Sequence, residues 1–304
     1  MKKIRLLHNP TAGDEEHDKK ELIKMVESAG YECLYCSVKK EGWDKKEEDT
    51  DLLLVAGGDG TVRKAVKKLL KGKIADEPWP PIVIVPLGTA NNIATTLGVQ
   101  DQSPEEVIAS LASARPKKFD TGHLEGTGDE HFFLESFGYG IFPYLMMQMK
   151  KRDIPGAETP EESLRAGLEM LYQLILAYEP RHCSLQVDGA DHSGKYIMAE
   201  VMNTRMLGPN IGLAMDSDPG DGQLEVVLIA EADKGKFAAF IMDKINDIEA
   251  SYDFTTIRGR AIAISWDGTH VHTDDEVIRI GKEEKVRIQL QPGALEFLIT
   301  GPAK

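Results

Sequence analysis

The residues best suited to chemistry are Gly57-Gly58-Asp59-Gly60-Thr61, which follow the apolar run Asp51 to Ala56 and precede a segment of helical spacing. A glycine-rich turn at that junction lets main-chain N–H groups approach a phosphate without Cβ interference. The helix start adds partial positive charge there. Thr61 either caps the helix or donates to a phosphate oxygen. Asp59 is a poor neighbour for phosphate and points to a metal ion or a main-chain hydrogen bond. The plain alternative is a tight strand-to-helix turn. The pattern is neither GxGxxG nor GxxxxGK[ST], which disfavours an ordinary dinucleotide fold and a Walker-type ATPase.

A second turn, Pro86-Leu87-Gly88-Thr89-Ala90-Asn91-Asn92, has the same setting after the run Pro81 to Pro86. It offers Gly88, the Thr89 hydroxyl and the Asn91 amide. If the two strands are neighbours, both turns line one crevice at the carboxyl edge of a sheet. Further along, Asp216, Asp218 and Asp221 form a carboxylate-rich loop. It could bind Mg²⁺, or it is simple Asp-Pro-Gly-Asp-Gly turn chemistry.

The elements that must position these groups differ between the two halves. Residues 1 to 118 alternate strand and helix: Ile4 to Leu7, helix Lys19 to Ala29, Tyr31 to Val38, Asp51 to Ala56, helix Thr61 to Leu70, Pro81 to Pro86, helix Asn91 to Leu97. That order predicts βαβ units in an open, mostly parallel, doubly wound α/β domain. Residues 119 to 290 read as short alternating strands separated by turns such as Asp188-Gly189 and Asp267-Gly268, a β-sandwich-like second domain. Helices around Glu161 to Tyr178 and Lys234 to Asp247 interrupt it, and a tail from 291 to 304 is able to return to the first domain. The stretch Lys39 to Asp51 reads as a solvated loop or helix.

Composition excludes several classes. A formal net charge of −14 disfavours nucleic-acid binding. It is also awkward for docking on anionic membranes; a basic patch among Lys64, Lys67, Lys68, Lys71 and Lys73 is one local exception, with a solvated helix face as the plainer reading. No run approaches the roughly 18 apolar residues of a membrane span, and Met1 to Pro10 reads as a first strand rather than a signal peptide. The cysteines are Cys33, Cys36 and Cys183. Cys33 and Cys36 lie three apart on a strand, hence on opposite faces, unsuited to a metal site or a disulfide. A reducing, cytoplasmic compartment is expected.

Together, GGDGT and PLGTANN resemble the catalytic domain of the diacylglycerol kinase family, which includes sphingosine kinases and bacterial soluble lipid kinases. Asn9-Pro10-Thr11-Ala12-Gly13 is similar to that family's opening NPxxG, whose loop faces the nucleotide. Asn203, Gly208, Ala214 and Asp221-Gly222-Gln223-Leu224-Glu225-Val226 resemble its segment ending in DGxLxV, and Asp274-Asp275-Glu276 stands where it carries DGE. The departures are Asn92 in place of a frequent Asp, Gly220 in place of an acidic residue, and Asp275 in place of the DGE glycine.

The resemblance implies ATP as phosphoryl donor, with Mg²⁺ bridging its phosphates and a lipid-like alcohol as acceptor. Asn9, Thr11, Gly57, Gly58, Asp59, Gly60, Thr61, Gly88, Thr89 and Asn91 would meet the nucleotide. Asp274 would be the general base and Glu276 would orient it or the metal. Asp216, Asp218 and Asp221 correspond to a structural metal site of related bacterial enzymes. Asp267-Gly268 is a rival for the DGE position but reads better as a hairpin turn. His270 and His272 share a strand face without a further zinc ligand set. The Met and aromatic residues from Phe137 to Met149 line an acyl-chain cleft or form ordinary core. Peripheral membrane contact and a homodimer remain open. The competing readings are an NAD kinase and a nucleotide-binding regulatory protein.

Overall fold

The structure is a computed structural model that describes residues 2–12, 18–40, 50–71, 79–128, 131–151, 159–250 and 252–301. Gly13, Lys73 and residues 41–49 of the Lys39 to Asp51 stretch lie outside them. The chain divides into two units, residues 1–119 with 293–304, and residues 120–292.

The first unit begins with β1 (Lys3–His8), α1 (Lys19–Ser28), β2 (Glu32–Ser37), β3 (Leu52–Gly57), α2 (Asp59–Lys71), β4 (Ile82–Pro86), α3 (Asn92–Leu97) and α4 (Pro104–Ala109). β1 pairs in parallel with β2 and β3, and β3 with β4. Consecutive apolar residues make this possible, since a strand covered on both faces needs no polar side. Leu54 and Val83 pack with Leu22 and Val26 of α1 and Val107 of α4. Leu53 and Val55, pointing the other way, are buried as well.

The second unit holds most of β5 (Arg115–Glu125), then β6 (His131–Phe133), β7 (Ser136–Gly140), α5 (Ile141–Lys151), α6 (Pro160–Ala177), β8 (Arg181–Val187) and β9 (Ala190–Asp191). It continues with β10 (Gly194–Met202), β11 (Met206–Leu207), β12 (Ile211–Gly212), β13 (Leu224–Ala230) and α7 (Lys234–Ile245). Last come β14 (Thr255–Gly259), β15 (Ala261–Trp266), β16 (His270–Thr273), β17 (Glu276–Arg279) and β18 (Val286–Ile299). The final residues of β18 belong to the first unit, where Phe297 pairs in parallel with Ile82 and packs its ring 4.9 Å from that of Phe119.

Pairing in the second unit is antiparallel, with β10 between β7 and β13 and with β15 between β8 and β18. One face of these strands forms a sandwich core around Tyr139, Leu185, Val201, Val226, Ile264 and Trp266. The other, through Met198, Met202 and Val227, is covered by Phe142, Leu145, Leu171 and Phe237 of the helices. The expected mixed fold is thus present, with differences in detail. A third helix, α5, interrupts the β-rich unit, built from the Met and aromatic segment. Of that segment, Phe137, Tyr139, Phe142 and Leu145 are core, whereas Tyr144 is exposed and borders a groove of about 970 Å³ with α6 and α7. Asp267-Gly268 joins β15 to β16, which do not pair with one another, so it is a bend and not a hairpin turn. Among the described residues no helix is long and apolar enough to cross a membrane.

Candidate functional site

In the first unit the two glycine turns meet. β3 and β4 are neighbours in register, Gly57 opposite Pro86, so both turns leave the same carboxyl edge. A Cβ on Gly88 would lie 2.3 Å from the Gly58 Cα, and one on Gly58 would lie 2.9 Å from the Gly88 Cα. The glycines are therefore demanded first by each other: backbone packs on backbone with no room for a side chain. At Gly57 a Cβ would meet the Thr61 hydroxyl at 2.5 Å.

Side chains then brace this pair of turns. Asn91, left-handed at φ +52°, donates through Nδ2 to the Gly88 carbonyl at 2.6 Å and accepts the Gly88 amide on Oδ1 at 3.0 Å. Asp59 accepts the amides of Asn92 (2.8 Å) and Ile93 (3.0 Å) at the start of α3, the main-chain hydrogen bonding that was one of its two alternatives. Thr61 is 4% exposed and accepts from Asn9 Nδ2 at 3.3 Å, while Asn9 Oδ1 accepts the Thr11 hydroxyl and amide. Thr61 and Asn91 thus hold the cradle, whereas Thr89 and Thr11 are exposed beside it. Gly60 lies in the first turn of α2, where helix geometry leaves amide hydrogens without intrahelical acceptors. The site can accept an anion at that amino end, with little room for bulk beside the glycines.

In the second unit the carboxylates have other employment than expected. Asp274 is 7% exposed, and its Oδ1 accepts the amides of Leu134 (3.1 Å), Glu135 (2.8 Å) and Ser136 (3.2 Å). A carboxylate so held anchors the β6–β7 connection. Thr273 pairs with Glu276, so Asp274 and Asp275 form a two-residue hairpin turn. The left-handed conformation falls on Asp274 (φ +50°) and not on Asp275, so no glycine is required where Asp275 stands. Glu276, at the start of β17, is half-buried.

Asp216, Asp218 and Asp221 do not converge: among the described residues no three His, Cys, Asp or Glu side chains could hold a metal ion. Asp218 accepts the Gly220 amide at 2.9 Å and Asp221 that of Gln223 at 2.9 Å, the turn chemistry that was the alternative. Asp221 also pairs with Arg258, which reaches Glu225 at 3.2 Å. Burial pushes the Glu225 carboxyl above its ordinary value, against the pull of Ser217 and Arg258. Arg258 thus pairs with Asp221 and Glu225, and the three aspartates do not gather into a side-chain ligand set.

Sequence reasoning passed over Glu200. It lies within the apolar strand segment Met198 to Met202 and pairs with His272, Nε2 to Oε1 2.8 Å, both 0% exposed. A lone glutamate among buried apolar residues was the available signal, because a buried charge needs a partner. His272 is thereby committed to a carboxylate, and His270 faces the Thr269 hydroxyl at 3.1 Å.

Comparisons with known proteins agree with this architecture. The family model of the diacylglycerol kinase catalytic domain matches residues 3–124. That of the YegS C-terminal NAD kinase beta sandwich-like domain matches residues 156–299. A diacylglycerol kinase of Bacillus subtilis (strain 168) is 26% identical over 249 residues, 78% of this chain and 77% of its own. One of Staphylococcus aureus (strain MRSA252) is 26% identical over 246 residues, 76% of this chain and 71% of its own. The crystal structure of a diacylglycerol kinase from Bacillus anthracis str. Sterne superposes with a TM-score of 0.72 at 22% identity. That superposition covers 99% of this chain and 98% of the other, and supports the fold. The two models match in order along the chain, a diacylglycerol kinase catalytic domain at residues 3–124 followed by a YegS C-terminal domain at residues 156–299.

Proposed function

We propose that the protein is an ATP-dependent kinase that phosphorylates a hydroxyl of a lipid-like alcohol, diacylglycerol or a related lipid. The observation that carries this reading is the contact of Gly58 with Gly88 at the start of α2, which builds an anion cradle from main chain alone. The amides of the first turn of α2 and the hydroxyls of Thr89 and Thr11 would hold the phosphates. Phosphoryl transfer asks mainly for such positioning, together with a group to accept the hydroxyl proton.

Asp274 being occupied by amides, the proton acceptor in this reading is Glu276. The acceptor oxygen forms its bond to the γ-phosphorus, the bond to the β,γ-bridging oxygen breaks, and the hydroxyl proton passes to the Glu276 carboxylate. Mg²⁺ would arrive on the nucleotide and neutralise its phosphates; with no convergent carboxylate set to hold it, no step is assigned to it. The acidic chain favours an alcohol presented as a dispersed or carrier-delivered molecule, and the free cysteines suit a reducing, cytoplasmic compartment.

The test is ATP turnover with Mg²⁺ against diacylglycerol, sphingosine, phosphatidylglycerol and NAD, with Glu276→Gln beside the parent. Lipid-dependent phosphorylation is expected, falling about 10²- to 10⁴-fold in the variant at unchanged ATP affinity. The second matched domain has an NAD kinase beta sandwich-like fold, and phosphorylation of NAD alone would move the chain to that activity. An unimpaired Glu276→Gln enzyme would remove the proposed base.

A further inference from the structure

We propose that Glu200 and His272 are positioning residues: a buried ion pair that holds the Asp274-Asp275 turn and, through it, Glu276. This rests on the reading of Glu276 as proton acceptor. Three residues stand abreast on adjacent strands, since Gly138 of β7 is opposite both Glu200 of β10 and His272 of β16. Directly opposite residues project to the same face. A Cβ on Gly138 would lie 1.9 Å from Glu200 Oε2. The missing side chain is therefore the opening through which the Glu200 carboxylate crosses to His272 Nε2, 2.8 Å away.

Stability alone is a poor reason for such a pair. Removing two charges from water costs more than their attraction reliably returns, and well-packed apolar replacements are often neutral or stabilising. What the pair does is visible at the other ring nitrogen. His272 Nδ1 faces the Asp274 carbonyl oxygen at 3.1 Å. Both ring nitrogens thus lie within 3.1 Å of a carboxylate or carbonyl oxygen, and only the doubly protonated imidazole carries a proton on each. Glu200 on β10 and the Asp274 carbonyl and carboxylate are the charged or polar groups facing it, while α5 presents the Phe142 ring at 6.2 Å. Burial pulls the imidazole down, but Glu200 and Asp274 outweigh it and hold it above its ordinary value.

One end of the imidazolium is therefore fixed to the sheet and the other to a left-handed turn residue whose carboxylate gathers the amides of Leu134, Glu135 and Ser136. Glu276 begins the strand leaving that turn. Without the pair, the Asp274 carbonyl loses its donor and the turn its tether to β10.

The test uses the full chain with Glu200 and His272 replaced together, Glu200→Met with His272→Phe, and separately Glu200→Gln. In the double variant, hydrogen exchange of the Asp274 amide, which donates to the Ser136 carbonyl at 2.9 Å, should quicken at least about tenfold (of order 1.4 kcal/mol). Amides of β13 should be unchanged. Lipid-dependent kcat should fall at least about tenfold with ATP affinity retained. Glu200→Gln, which keeps a hydrogen-bonding group beside Nε2, should recover most of kcat while its His272 ¹⁵N signals leave the doubly protonated position that the parent shows. Unchanged exchange at Asp274, or a parent His272 that is neutral at pH 7, overturns the proposal. If the double variant does not fold, the parent ¹⁵N signals and Glu200→Gln decide alone. If Glu276→Gln is fully active while exchange at Asp274 still responds, the assignment of Glu276 has failed and the tether stands.

Discussion

Gly88 shows how far a single residue constrains the anion cradle. Its absent Cβ would fall 2.3 Å from backbone, which no rotamer change relieves. Gly88→Ala should therefore force the two turns apart, costing about 1–3 kcal/mol, typical of overpacking. It should also weaken ATP binding well beyond what the loss of stability explains. Calorimetric titration with ATP beside thermal unfolding separates the two effects, and an alanine variant with parental affinity would show that the turns need not touch. The importance of both glycine motifs was legible in the sequence; their mutual contact was not, since it depends on strands separated by the whole of α2. The same holds for Asp274, which the motif singled out while the amides that occupy it come from residues 134–136.

Helix ends illustrate local determination. Ser103 and Glu106 form a reciprocal capping box at α4, the hydroxyl accepting the Glu106 amide at 3.2 Å and the carboxylate accepting the Ser103 amide at 2.8 Å. Pro104 occupies the first turn, where its missing N–H has no cost. α4 packs Val107 and Ile108 into the first unit's core. Ser103→Ala should lower stability by about 1 kcal/mol, measured by urea unfolding, without changing ATP affinity. A loss above about 2 kcal/mol would mean that the cap supports more than its own helix. α4 was missed in the sequence reading because six residues carry too little periodicity, although the Ser-Pro-Glu-Glu signature was present.

For the molecule as a whole, the return of β18 ties the last residues of the chain to the first unit. Phe297 pairs with Ile82, sets its ring at a tilt against that of Phe119, and is 1% exposed. Burial of a phenylalanine contributes about 1.5–3 kcal/mol. Deletion of residues 293–304 should therefore destabilise the first unit selectively, seen as faster hydrogen exchange in β3 and β4 with β10 and β13 protected as before. Equal loosening of both units would show that the tail serves them jointly. The formal charge of −14 acts at this scale too, weakening attraction to anionic surfaces at low salt.

By itself the sequence determined most of the elements and much of the turn chemistry: apolar runs for strands buried on both faces, alternation for the sandwich, and glycines and carboxylates at the junctions. These follow from neighbours within a few residues, where hydrogen-bond geometry and side-chain period act. Only the tertiary structure decided what each polar group does. Arg258 claims Asp221, amides from another connection claim Asp274, and Glu200 reaches His272 across the gap at Gly138. A carboxylate's role depends on which donor lies within 3 Å, and that distance is set by strand register between segments up to about 140 residues apart.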